Sequence, residues 1–313
     1  MIVVTGGAGF IGSNLIKGLN DIGLTNILVV DNLSNSTKHL NLNSLYIADF
    51  IDKNDFVENL DKFNNIKTIF HQGACTSTTE TDGKYMMKNN YEYSRRLVNF
   101  SIKKGINFIY ASSASVYGNG KNGFREDKNC EYPINIYAFS KYLFDNYVRK
   151  ILIEKKNNYQ ITGLRYFNVY GYQENHKEKM ASVAFHFYKQ VSNSGKLKLF
   201  KGSENFYRDF VFIEDVIKVN LFFFEKKTNG IFNCGSGSER SFLDIANIFK
   251  TIKKGSEIVF IPFPENLKGK YQAFTKADLT NLIKVGYKKK FHSLEEGIAK
   301  YYKALCETDG YLV

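Results

Sequence analysis

The sequence predicts an α/β protein built on a doubly wound parallel sheet, with a smaller C-terminal lobe that binds a second ligand. Three observations carry that prediction. Short β-branched runs alternate with longer amphipathic segments over the first half, a glycine-rich turn follows the first run, and an acidic residue closes the second.

Taken in order, Ile2 to Thr5, Ile27 to Val30, Thr68 to His71, Phe108 to Ala111 and Ile161 to Arg165 read as strands. Phe10 to Leu19, Tyr85 to Lys104 and Ile136 to Lys155 read as helices long enough to cross back over a sheet. Right-handed crossovers then place every strand's C-terminal end at one edge, where ligands collect. From Asn168 the texture changes to aromatic-rich loops and short elements, which reads as pocket-forming structure more than continued sheet. Phe206 to Phe212, Ile231 to Cys234 and Glu257 to Pro262 are the strand candidates there. Ile213 to Glu225, Phe242 to Thr251 and Leu294 to Leu305 are the helix candidates. The reading is a dinucleotide-binding domain over 1–167 and a mainly substrate-binding lobe over 168–313, some segments of which return to the first domain. No repeat or flexible linker separates them.

The totals agree with a folded enzyme. The 313 residues are 43% hydrophobic and 24% charged, ordinary values that favour neither disorder nor a fibrous chain. The net charge of +12 favours an anionic partner, but the lysines are dispersed, which points to a phosphorylated small molecule and not to nucleic acid. Cys75, Cys130, Cys234 and Cys306 form no paired spacing, so neither a metal site nor a disulfide framework is expected. Reduced thiols, no basic leader and no apolar run of about 18 residues predict a cytoplasmic protein that does not span a membrane.

Thr5-Gly6-Gly7-Ala8-Gly9-Phe10-Ile11-Gly12 leaves the first strand and opens a helix. Glycines at this place allow a tight turn and a close approach of backbone to a diphosphate, whose charge suits the helix N-terminus. Asp31, at the end of the next strand, would accept hydrogen bonds from an adenosine ribose. A carboxylate there favours NAD over NADP, whereas Lys38 and Lys53 would neutralise a 2′-phosphate, so charge leaves the choice open. His71-Gln72-Gly73-Ala74-Cys75 ends another strand at the same edge, with small residues where a cofactor would lie.

Tyr137 and Lys141 are four apart at the start of a helix and share one face. A phenol of pKa about 10 is a poor base at neutral pH unless a neighbouring cation stabilises its anion. The lysine is expected to do so. The segment from Tyr110 to Gly118 leaves a strand at the same edge and offers Ser113 to orient a substrate oxygen. A Tyr-x-x-x-Lys pair alone is common in helices; joined to the glycine turn and the serine, it reads as a functional pair and not as packing.

These features resemble the extended short-chain dehydrogenase/reductase superfamily, in its NAD-dependent epimerase/dehydratase family, over essentially the whole chain. The resemblance implies a Rossmann-type fold with Tyr137 as acid/base, Lys141 as ribose ligand and tuner of the tyrosine, and Ser113 as the positioning hydroxyl. Further stretches are more specific: Arg165 to Gly171, His176-Lys177, Met180 to His186, Leu199 to Phe206, Arg208 to Val211 and Lys268 to Thr275. Together they resemble the ADP-heptose 6-epimerases of that superfamily, which make the heptose donor for the lipopolysaccharide core. The resemblance implies Lys177 as a second acid/base. It implies substrate contacts from Asn168, Lys179, His186, Phe200, Lys201, Gly202, Ser203, Arg208 and Tyr271. Lys179 departs from the pattern, standing where the family usually has a serine. Cofactor contacts are implied for Gly6, Gly9, Phe10, Ile11, Gly12, Asp31, Asn32, Lys38, Lys53, Gln72, Gly73, Ala74, Cys75, Thr76, Asn89, Lys141, Val169 and Lys177. NADP, with NAD as the alternative, is implied as a tightly held cofactor, one per subunit, in a homo-oligomer that is expected to be a pentamer.

Two bases make chemical sense for an exocyclic carbon. A transient ketone can rotate about one single bond while the nucleotide stays anchored, so that its oxygen meets Tyr137 in one orientation and Lys177 in the other. A hexose 4-epimerase using Tyr137 alone is the nearest rival. A 4,6-dehydratase is disfavoured, since Ala114 and Ser115 stand where those enzymes carry Asp-Glu. A non-catalytic dinucleotide sensor would not need the reactive trio.

Overall fold

The computed structural model describes residues 1–154, 159–264 and 272–313. In chain order the first half comprises β1 (Ile2–Thr5), α1 (Phe10–Asp21), β2 (Ile27–Asp31), β3 (Asp49–Asp52), α2 (Lys53–Glu58), β4 (Thr68–His71), α3 (Gly83–Met87), α4 (Tyr93–Lys104), β5 (Asn107–Ser113), α5 (Ile136–Glu154) and β6 (Ile161–Tyr166). The second half comprises β7 (Asn168–Tyr170), α6 (Val183–Ser194), β8 (Lys196–Phe200), β9 (Tyr207–Phe212), α7 (Ile213–Lys226), β10 (Gly230–Cys234), β11 (Glu239–Ser241), α8 (Phe242–Ile252), β12 (Glu257–Ile261), α9 (Thr280–Lys284) and α10 (Leu294–Thr308).

Seven strands form one sheet in the order β10-β6-β5-β4-β1-β2-β3, and every pairing in it is parallel. Successive residues of a strand face opposite sides, so a doubly covered strand is apolar throughout. β1 obeys this: Ile2 and Val4 enter one apolar cluster and Val3 enters the other. α4 and α5 supply Leu97, Val98, Phe144 and Val148 to the second cluster. α1 and α7 cover the first face, where a β-carbon on Gly18 would come within 2.5 Å of Ile217.

The first cluster does not stop at the sheet. It runs through Ile213 and Phe223 of α7 into α6, α8 and α10, so one continuous core joins the sheet to the smaller lobe. That lobe adds an antiparallel and parallel ribbon, β11-β9-β7, and a parallel pair, β12-β8.

Two differences from the sequence reading stand out. β10 belongs to the large sheet, in register with β6 from Gly230 to Cys234, although it lies in the half of the chain read mainly as the lobe. The predicted helix from Tyr85 is interrupted: α3 and α4 are joined by a π-helical turn over Lys88–Glu92. Such a turn inserts one residue and re-aims those beside it.

Candidate active site

The nucleotide end is built by three strand ends. Gly6 takes a positive φ of 66°, and a β-carbon on Gly12 would come within 2.1 Å of the Gly6 carbonyl oxygen. Only glycine permits that closure of the β1–α1 turn. α1 begins at Gly9 with no side chain capping it and no acidic residue in its first turn, leaving amide N–H groups and a positive helix end for an anion. These features fit a dinucleotide diphosphate. The Asp31 carboxylate accepts from the Ala8 amide at 2.9 Å and the Asn32 amide at 2.7 Å, and pairs with Lys38 at 2.5 Å.

A cavity of about 470 Å³ opens over this turn. Of the residues assigned to the cofactor from sequence, Gly6, Gly9, Phe10, Ile11, Gly12, Asp31, Asn32, Lys38, Lys53, Gln72, Gly73, Ala74, Cys75, Thr76, Asn89 and Lys177 line it. Val169 lines the neighbouring cavity instead, and Lys141 lines neither. Tyr85, Tyr93 and His176 also line the nucleotide cavity, and none of them was among the residues assigned to it from sequence.

The π-helical turn explains how Asn89 and Asn90 reach this edge. Lys53 donates to Asn89 at 2.7 Å, and Asn90 exchanges two hydrogen bonds with the backbone of Cys75, at 2.8 and 2.9 Å. Asn90 also donates to Ser140 Oγ on α5 at 3.2 Å, tying the Cys75 loop to the helix that carries Tyr137 and Lys141. A buried Asn with this role was not legible in sequence.

α5 carries Tyr137 and Lys141. Burial pushes the Tyr137 phenol above its ordinary pKa, its hydrogen bond with Ser113 pulls it down, and Cys75 pushes it up. Lys141 is 5% exposed, donates to the Ala111 carbonyl at 2.8 Å, and is pulled down to about 8 by burial, with Asp145 opposing. Desolvation dominates, and the ammonium is aimed at a strand carbonyl. Behind it, Asp145 accepts from Tyr110, Ser112 and Arg165 Nε, each at 2.9 Å, a buried network that fixes the end of β5 against α5.

The second cavity, about 540 Å³, lies toward the lobe. Asn168, Lys177, Lys179, His186, Phe200 and Ser203 line it. Lys201, Gly202 and Arg208 do not, and Tyr271 lies outside the described residues. Arg208 is 4% exposed, donates to the Tyr207 carbonyl at 3.0 Å and lies 5.8 Å from the Phe242 ring centroid. Sequence reasoning missed the aromatic wall of Phe206, Phe210, Phe242 and Phe263, in which the Phe263 ring meets Phe200 and Phe206 at 5.5 and 5.8 Å. The chain brings these rings together from the turn before β9, from β9 itself, from the start of α8 and from the segment after β12.

Lys177 and Met180 line both cavities. The Lys177 ammonium lies 5.0 Å from the Phe10 ring centroid, and burial lowers its pKa while Glu174 opposes. An amine thus stands at the junction of the two cavities.

Comparison with known proteins agrees with this geometry. A model of the NAD dependent epimerase/dehydratase family matches residues 2–235. The chain is 56% identical over 318 residues to an ADP-L-glycero-D-manno-heptose-6-epimerase from Brachyspira hyodysenteriae, covering all of both chains. Among solved structures it resembles the Helicobacter pylori ADP-L-glycero-D-manno-heptose-6-epimerase, with TM-score 0.85 and 32% identity over 98% of this chain and 96% of that one. It also resembles a UDP-glucose 4-epimerase from Thermotoga maritima, with TM-score 0.84 and 30% identity over 98% and 99%.

Proposed function

Because the chain belongs to the NAD dependent epimerase/dehydratase family, we propose that it inverts C-6 of ADP-D-glycero-D-manno-heptose to the L-glycero form, for lipopolysaccharide core heptose. The observation that carries this reading is Lys177, a half-buried amine shared by both cavities and separate from the Tyr137–Ser113 pair.

A nicotinamide dinucleotide in the first cavity supplies reversible two-electron oxidation of a carbinol carbon. The chain's own residues do the rest. Ser113 orients the reacting oxygen, and Tyr137 takes its proton in one orientation of the exocyclic arm. Lys177 exchanges the proton in the other orientation, after the arm has turned about one bond. Lys141 binds the ribose beside Tyr137, and the aromatic wall of the second cavity keeps water from the transient ketone. Asn168, Lys179, His186, Phe200, Ser203 and Arg208 hold the nucleotide sugar, with Arg208 suited to a diphosphate.

NADP is the cofactor we propose. The repulsion that Asp31 would exert on a 2′-phosphate is offset by its pairing with Lys38, and Lys53 adds a second cation on the same cavity wall. Cytoplasmic location and self-association, as a homopentamer, complete the reading. The four free cysteines and the absence of a membrane-crossing helix among the described residues are compatible with it.

The rival is a hexose 4-epimerase, a class to which the structurally similar Thermotoga enzyme belongs. Incubation with ADP-D-glycero-D-manno-heptose, followed at the C-6 proton by NMR, decides between them. Epimerisation of the heptose and none of UDP-glucose is expected. Lys177→Ala should lower heptose turnover at least about 100-fold, a typical loss for a missing acid/base, while the dinucleotide stays bound. Wild-type turnover in that variant would remove the two-base mechanism.

A further inference from the structure

We propose that Glu174 positions Lys177 for its proton transfer and sets a carboxylate near enough to act on its ammonium; this rests on the reading of Lys177 as the second acid/base.

Glu174 is 0% exposed. A carboxylate removed from water is costly unless it is fully hydrogen-bonded. Its bonds come from three neutral donors. Oε2 accepts from the Ser182 amide at 2.6 Å, and Oε1 accepts from Ser182 Oγ at 2.6 Å and Tyr301 Oη at 2.9 Å. Its own carbonyl accepts the Lys177 amide at 3.0 Å. One side chain therefore pins the turn carrying Lys177 to the start of α6 and to α10.

The backbone around it is held in unusual shape. Gln173, just before, has φ of 71°, and Glu178, just after Lys177, has φ of 49° and ψ of −118°. Such conformations are strained in residues other than glycine and persist where surrounding contacts over-determine them, often at functional sites. The clamp through Ser182 and Tyr301 is that constraint. Glutamine would fill the same volume and accept the Ser182 amide, while the two hydroxyls turned to accept from its NH₂. The geometry by itself does not demand a charge. The need for one comes from Lys177, which burial drives toward the neutral amine and which Glu174 alone opposes.

The other titratable groups near this turn do not replace it. His176 is held down to about 4 by burial and by the charges of Lys38 and Lys177, so it is neutral at working pH. Lys179 and His186 line the sugar cavity with Lys177 and carry no negative charge. Tyr301 is pushed well above its ordinary value and stays protonated.

The test compares the wild type with Glu174→Gln and Tyr301→Phe. Two readouts are taken across pH: kcat/KM on ADP-D-glycero-D-manno-heptose, and the rate of Lys177 acetylation by acetic anhydride, measured by peptide mass spectrometry. Tyr301→Phe removes one hydrogen bond and no charge, so it should lower Tm and leave the Lys177 titration in place. Glu174→Gln should move the Lys177 midpoint to lower pH and reduce kcat/KM at pH 8 about tenfold, the expected order for losing one opposed charge nearby. An unmoved midpoint in E174Q, or an equal shift in Y301F, overturns the proposal. If E174Q does not fold, Glu174→Asp decides: it keeps the charge, so its Lys177 midpoint should stay near the wild-type value, and a shift as large as complete loss of the opposed charge overturns the idea. A wild type that is inactive on the heptose defeats the functional reading instead. The acetylation profile still reports on Glu174 in that case.

Discussion

At the scale of single residues, the site depends on charges whose states are set by burial. His71 is the clearest case. It closes β4 between Thr5 Oγ1, 2.6 Å from Nδ1, and Ser94 Oγ, 2.8 Å from Nε2. Ser94 donates onward to the Asn90 carbonyl at 2.6 Å. This chain assigns the proton to Nε2 and leaves Nδ1 as acceptor from Thr5. Burial, with help from the charge of Lys141, lowers the His71 pKa to about 3. The unfolded histidine titrates near 6.5, so the unfolded state binds the extra proton first as pH falls. Stability from this residue is intact above about 6.5 and is lost progressively down to about 3, amounting to about 2 kcal/mol by pH 5. Chemical denaturation at pH 7 and pH 5 should show that loss, and His71→Asn should flatten the difference. An unchanged slope in the variant would exonerate His71.

The same scale shows where residue reading stops. Tyr137 and Lys141 were recognisable by spacing, and Ser113 by its place at a strand end. The carboxylate behind them, Asp145, is a helix residue like many others until Tyr110, Ser112 and Arg165 are seen to converge on it.

At the scale of elements, the β1–α1 turn and the π-helical turn do most of the positioning. The first was legible because only glycine meets its steric demand, and that demand is local. Gly12→Ala tests it. A β-carbon 2.1 Å from the Gly6 oxygen forces the helix away from the strand. The variant should lose co-purified dinucleotide and be destabilised by about 1–3 kcal/mol, the usual cost of overpacking, as read by absorbance of the released cofactor and by urea unfolding. Retention of a full complement of dinucleotide would refute this account of the turn.

The π-helical turn was not legible. A single extra residue leaves the apolar period of the flanking helices nearly intact, while it redirects Asn89 and Asn90 toward Lys53 and Cys75. β3 was missed for a different reason. It is an edge strand with charged residues at both ends, Asp49 and Asp52, and little of it is buried. β7, β8 and β11 are three to five residues long and are stabilised by partners remote in sequence.

At the scale of the whole molecule, the nucleotide cavity takes residues from both halves. Gly9, Asp31 and Gln72 come from the sheet edge, whereas His176, Lys177 and Met180 come from the turn before α6. A ligand there bridges the halves and should stabilise the fold as a unit. NADP at about 100 times its Kd should contribute about 2.7 kcal/mol and raise Tm in a single transition. NAD at equal concentration should give the smaller shift, because Lys38 and Lys53 gain no 2′-phosphate. A larger shift with NAD would reverse the proposed preference.

What the sequence determined by itself follows from short-range physics. Strand and helix periods, the glycine turn, the acidic end of β2 and the Tyr–Lys spacing are each set within a few residues, so the sheet edge and its chemistry could be read directly. The return of β10 to the sheet, the aromatic wall around Phe263, the junction position of Lys177 and the clamp of Glu174 were decided by tertiary structure. Each depends on groups far apart in the chain whose burial, and hence whose charge and contacts, exists only after the core has closed around them.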